Sequence, residues 1–229
     1  MSKIANVALL GAALILAGCT KQTPQTQAPV APTPAAQSAA LKMSPPQKVY
    51  DGPFGLARAM SISEIKDLGF TETEGVPNVF SGKPPKPAEG IDDYSVVAAP
   101  VAGACRISAT VFVGTVNGTG DQLKAQVDRL AEAVEVKYGK PTKKFHQFAQ
   151  EVYERNPQFW MLGLKEDSIA YGYIWRSSQS SGQLPSELKT IEVSAGAADT
   201  SAGYATVRYT YDNFDDCQKE FKVRKAANF

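Results

Sequence analysis

The sequence predicts an α+β domain, a mainly antiparallel sheet packed against two or three helices, after a signal peptide and a disordered linker. Three observations predict it. β-Rich runs with alternating side chains recur between residues 94 and 213, residues 120–138 have helical periodicity, and residues 20–47 are too poor in apolar side chains to build a core.

The N-terminus sets the organisation. Lys3 supplies a positive charge, Ile4 to Leu16 form an apolar run of Leu, Ala, Ile and Val, and the small residues Ala17 and Gly18 precede Cys19. That is the pattern of a secretory signal. The run falls short of the roughly 20 apolar residues that cross a bilayer, and a polar stretch begins at Thr20. Leu16-Ala17-Gly18-Cys19 resembles the lipobox of bacterial lipoproteins. The resemblance implies that residues 1–18 are a signal peptide cleaved before Cys19, with a diacylglyceryl thioether on the Cys19 sulfur and an acylated amino terminus. Several acyl chains on one residue hold firmly, because each buried methylene contributes about 0.8 kcal/mol. Thr20 stands where similar lipoproteins held at the inner membrane often carry Asp, which implies the periplasmic face of the outer membrane. An ordinary signal peptide with a chance cysteine is the alternative.

Residues 19–47 read as a lipidated cysteine and a tether. From Thr20 to Gln47 the chain is Thr, Gln, Ala, Ser and Pro, with Lys21 and Lys42 as its only charges and prolines at 24, 29, 32, 34, 45 and 46. Such composition gives a solvated linker with polyproline II character. As a flexible coil it spans on the order of 30 Å.

Residues 48–229 have ordinary globular composition and the size of one domain. The whole chain carries 24 Lys and Arg against 23 Asp and Glu, and setting aside Lys3, Lys21 and Lys42 leaves the domain slightly acidic. A nucleic-acid role has no electrostatic footprint here. With Cys19 consumed by lipid, Cys105 and Cys217 remain as an even pair in an exported chain, and a disulfide is the natural reading. Two buried free thiols are the alternative.

Within the domain, Ser61-Ile62-Ser63-Glu64 has the capping-box pattern, predicting a helix over Ser61 to Leu68 that Gly69 stops. The stretch Phe54-Gly55-Leu56 followed by Met60-Ser61-Ile62-Ser63-Glu64-Ile65 resembles a helix start of small envelope lipoproteins, with Ala59 where that pattern usually has Gly. The resemblance implies a two-layer α+β fold and carries over no functional residue. Thr71 to Glu74 and Val76 to Phe80 are candidate strands broken by Gly75. Lys83-Pro84-Pro85-Lys86-Pro87 is a stiff basic loop, either a connector or a docking surface. Tyr94 to Val101 and Cys105 to Val113 read as a hairpin, with Ile107, Ala109, Val111 and Val113 on its buried face. Leu123, Val127, Leu130, Val134 and Tyr138 recur at helical spacing, with Gly139 and Pro141 just beyond, predicting a helix over Gly120 to Tyr138. Lys143 to Phe148 reads as a short strand, and Asn156-Pro157 as the start of a helix through Leu164. Ser168 to Arg176, Leu188 to Ala197 and Gly203 to Asn213 read as an antiparallel meander, interrupted by a polar loop at Ser177 to Ser186 that is expected to move. Phe214 to Lys225 is a candidate closing helix carrying Cys217.

No motif announces catalysis. His146 is the only histidine, which excludes a histidine-based zinc site or a two-histidine mechanism within one chain, and no serine sits in a Gly-x-Ser-x-Gly elbow. Gly114, Gly118 and Gly120 lack the spacing and the Gly-Lys-Ser/Thr of a phosphate loop. Asp92-Asp93 and Asp215-Asp216 lack calcium-loop spacing. No cofactor and no metal are expected. The least ordinary feature is aromatic: Tyr171, Tyr173 and Trp175 share one face of a strand, as do Tyr209 and Tyr211 on another. If exposed, they form a binding platform for a glycan, a peptide or a protein; otherwise they are the core layer beneath the 120–138 helix. Anchor, tether and absent catalytic groups lead to an envelope adaptor or assembly module whose partners are the membrane, through the anchor, and an envelope protein or the cell wall. A cell-wall hydrolase or binder, and an inhibitor or exclusion lipoprotein, are the alternatives.

Overall fold

A computed structural model describes residues 52–177 and 184–226, all within the unit Gln47–Phe229. The signal segment, Cys19, the tether and most of the Ser177–Ser186 loop lie outside the described residues. The fold is α+β, with one eight-stranded antiparallel sheet in the order β1-β2-β3-β4-β8-β7-β6-β5. Two four-stranded meanders thus meet where β4 (Gly103–Val113) pairs with β8 (Gly203–Tyr211), from Arg106 opposite Thr210 to Val113 opposite Gly203.

The first meander begins after α1 (Ile62–Asp67). Its capping box forms as its sequence predicts: the Ser61 hydroxyl accepts from the Glu64 amide at 3.2 Å and the Glu64 carboxylate accepts from the Ser61 amide at 3.0 Å. Strands β1 (Thr71–Glu72) and β2 (Val79–Ser81) are shorter than their β-rich composition suggests. Gly75 and Asn78 have φ of 73° and 67°, so the chain between them turns back instead of extending. Strand β3 (Asp93–Ala99) then forms the expected hairpin with β4.

One irregularity in that hairpin decides where Cys105 points. Val97 pairs with Arg106 and Ala98 with Ala104, which leaves Cys105 opposite no residue. This bulge breaks the alternation that would put Cys105 beside Ile107 and aims it at the other face of the sheet. There the helix α5 (Phe214–Ala226) supplies Cys217, and the disulfide forms across Cα atoms 6.6 Å apart.

The helix α2 (Asp121–Tyr138) crosses from β4 to the far edge, where β5 (Lys143–Phe148) pairs with β6 (Ile169–Arg176). Leu123, Val127, Ala131, Val134 and Tyr138 are its buried residues, and they join one core with Ile191, Val193, Ala205 and Val207 of β7 (Leu188–Ala197) and β8. A short helix α3 (Glu151–Arg155), which the sequence pattern does not announce, precedes a 3-10 turn at Pro157–Phe159 and α4 (Trp160–Lys165). Trp160, Met161 and Leu164 of α4 bury in the same core, where α4 packs on β6 and β7.

A candidate binding groove

Of the two readings open for Tyr171, Tyr173 and Trp175, an exposed platform or the layer beneath the 120–138 helix, the structure shows the layer beneath the helix. Trp175 is fully buried and Tyr171 is 6% exposed, while Tyr173 is half-buried. Alternation showed that the three share a face, and α2 covers that face. The indole Nε1 of Trp175 donates to the Gly139 carbonyl at 2.7 Å, where α2 ends. The hydroxyls of Tyr171 and Tyr173 both donate to Asp128 Oδ1 of α2 at 2.7 Å. Lys144 stands 5.3 Å and 4.8 Å from the two tyrosine ring centroids and 3.5 Å from the same carboxylate oxygen. Hydrogen bonding to Tyr173 raises the Lys144 ammonium above its ordinary range, and burial with the Asp128 bond pushes Tyr171 up to about 12. The cluster is a saturated clamp between helix and sheet. Tyr209 and Tyr211 likewise lie in the core.

The opening that remains lies beside the C-terminal half of α2. Leu130, Val134 and Tyr138 of the helix face Phe54 of the 3-10 turn Pro53–Gly55, Ile91 of the 86–91 loop, and Val207 and Tyr209 of β8. Together they enclose about 460 Å³, inside the range of roughly 300–1,000 Å³ typical of ligand pockets. Its walls are tied to one another. Lys86 N–H donates to the Phe54 carbonyl at 3.0 Å, Ala88 N–H donates to the Tyr94 hydroxyl at 2.7 Å, and the Phe54 ring meets Tyr94 and Tyr209 edge-on at 5.0 Å and 5.7 Å.

Polar groups converge on this apolar surface. Tyr138 and Tyr209 are each 7% exposed with ring centroids 6.2 Å apart. Neither hydroxyl has a hydrogen-bond partner among the described residues, and neither is wholly sealed from solvent. Their neighbour Tyr211 is different, because its hydroxyl is satisfied by the Leu56 carbonyl at 2.6 Å. Burial, with Tyr138 adding to it, pushes the Tyr209 hydroxyl well above its ordinary range. Lys86 and Lys137 line the groove as well, and among the described residues no carboxylate does.

A second, polar recess opens on the other face of the sheet. The β6–β7 ladder runs from Gly172 opposite Ser194 to Arg176 opposite Thr190 and stops there, so Ile169–Tyr171 pair only with β5 and Ala195–Ala197 only with β8. Glu192, Ser194, Thr206 and Arg208 line the gap of about 310 Å³. The Glu192 carboxylate is already engaged, by Arg208 Nη1 at 3.0 Å and by the Ser194 hydroxyl at 3.0 Å. Tyr204 lines the recess, and Tyr204 and its cross-strand partner Phe112 are 36% and 59% exposed.

Sequence reasoning singled out the Lys83–Pro87 loop as a possible docking surface, and Lys86 and Pro87 do line the groove. It missed Phe54 and Tyr138, and it offered Tyr209 only as part of a platform with Tyr211. The available signal was the width of the α2 stripe, where Leu130 adds to a face that Leu123, Val127 and Val134 already fill. The chain matches no family model, no curated protein and no solved structure.

Proposed function

We propose that this chain is a lipid-anchored protein of the bacterial cell envelope, held through Cys19 on the periplasmic side of the outer membrane, whose domain is a non-catalytic binding module of the adaptor or assembly type. The observation that carries the binding role is the groove between α2, the Pro53–Gly55 turn and the 86–91 loop, with its apolar walls and two tyrosine hydroxyls that bond no described residue. The lipobox pattern and the tether composition support the anchored placement. His146, the one histidine, spends its Nε2 accepting from Trp160 Nε1 at 3.0 Å, an assignment that leaves it no catalytic nucleophile to activate. The test has two arms. Intact mass and membrane fractionation of the native chain beside Cys19→Ala should show acyl mass and membrane retention only in the native chain. A photo-crosslinking residue at position 133 should trap a defined envelope component that the same residue at position 223, on α5, does not.

A second reading, a cell-wall glycan binder, is favoured by the exposed Phe112–Tyr204 pair beside the polar β6–β7 recess. Loss of sedimentation with purified cell wall in a Phe112→Ser/Tyr204→Ser variant would support it.

A further inference from the structure

We infer that the groove takes a single-chain anionic amphiphile of the fatty-acid class, its chain along the apolar wall and its carboxylate met by the ammonium groups of Lys86 and Lys137. The inference rests on the reading of the groove as a receiving surface and names its occupant. Charge complementarity is the first argument. Lys86 and Lys137 are the charged residues of the lining, and neither is ion-paired among the described residues. Lys137 Nζ instead lies 5.1 Å from the ring centroid of Tyr138, so the cation and that tyrosine sit together at one place.

The second argument is hydrogen-bonding capacity left unused. A tyrosine hydroxyl that no protein group engages is free to donate to a ligand oxygen in place of water. The Tyr138 and Tyr209 hydroxyls, in residues each 7% exposed, bond no described residue and keep contact with solvent, while Tyr211 next to them has the Leu56 carbonyl. Two hydroxyl donors and two ammonium groups around one opening match the acceptor-only oxygens of a carboxylate. The apolar remainder, with Phe54, Leu130, Val134 and Val207, suits a hydrocarbon chain.

The experiment uses the full-length chain in nanodiscs of neutral phospholipid, exposed to a diazirine-bearing decanoate or the matching decanol, with cross-links mapped by peptide mass. Decanoate should label peptides from α2 and from the 86–91 loop about tenfold more strongly than decanol, the ratio expected of a charge-assisted contact. Lys86→Glu/Lys137→Glu should reduce decanoate labelling about tenfold. Ala133→Trp, which fills the opening from its rim, should abolish labelling by both probes; thermal melts establish that the variants fold, and Lys86→Met/Lys137→Met replaces the charge reversal if it does not. Equal labelling by decanol and decanoate overturns the anionic occupant while the groove survives as a receiving surface. Labelling that avoids the groove altogether overturns the inference too, and leaves crosslinking at position 133 to decide whether a protein fills it instead.

Discussion

The indole Nε1 of Trp160 donates to Nε2 of His146 at 3.0 Å, an assignment that makes the chain's one histidine a neutral imidazole with its proton on Nδ1. Burial lowers the His146 pKa below its ordinary 6.5, and the nearby Lys124 and Lys144 lower it further. A base whose pKa is depressed by folding binds more protons in the unfolded chain, so its contribution to stability is present above about pH 6.5 and fades as pH falls below that. The thermal midpoint should therefore drop between about pH 7 and pH 5, and His146→Gln should blunt part of that drop. Identical pH profiles for the two proteins would remove His146 as the cause.

Cys105 and Cys217 are 112 residues apart, and the bond between them closes a loop that the unfolded chain would otherwise leave open. The chain-entropy account predicts a loss of about 4–5 kcal/mol on replacing both with alanine. Urea unfolding should show it. Amide exchange should rise first in 214–226, because α5 meets the rest of the fold through β3 and β4. Unchanged protection of α5 would mean that Phe214 under Arg106, 3.9 Å from its ring centroid, and Glu220 on the Ala102 amide at 2.7 Å suffice to hold it.

Gly120 precedes α2 with φ of 72°, and an added Cβ would overlap the Trp160 ring. Gly75 has nearly the same φ, 73°, with nothing near the place where a Cβ would stand. Backbone strain alone costs about 1 kcal/mol, so Gly75→Ala should lose that much and Gly120→Ala clearly more. Matched equilibrium unfolding curves separate the two terms; equal losses would show that Trp160 yields without cost.

Removing the Ser61 hydroxyl breaks one half of the capping box at α1. Ser61→Ala should cost about 1 kcal/mol, measured by denaturant midpoint, and Ser61→Asp should restore most of it. A loss well under half that value would mean that the Glu64 side chain carries the cap without its partner.

Local pattern made several elements legible. The α2 stripe follows from a period of 3.6 residues and the capping box from side chains that bond their own backbone, and the short β5 run was read with the same bounds, Lys143–Phe148. Three things were not written locally. Alternation in Tyr171, Tyr173 and Trp175 told that they share a face and could not tell that Asp128 and Gly139 would close over it. Cys105 shares sequence parity with Ile107, and only pairing with β3 shows the bulge that separates them. Helix α3 is five residues long, less than two turns, too short for any period to register. The groove is harder still, because Phe54, Ile91, Val134 and Tyr209 come from four distant segments that meet only after the sheet is complete. The disulfide was legible from reading Cys19 as the lipid anchor, which leaves Cys105 and Cys217 as the remaining pair.

The place of β8 in the middle of the sheet has a consequence for the order in which the molecule can assemble. A ribosome delivers β4 some ninety residues before β8, yet β8 is the strand that joins the two meanders. Until residues 203–211 arrive, β4 presents an open edge along one side and β7 another, each a template for pairing with some other chain. Such distant pairing slows folding. A nascent chain held extended, or guarded, until residues 203–211 are through would therefore reach this structure more safely than one that folds as it emerges.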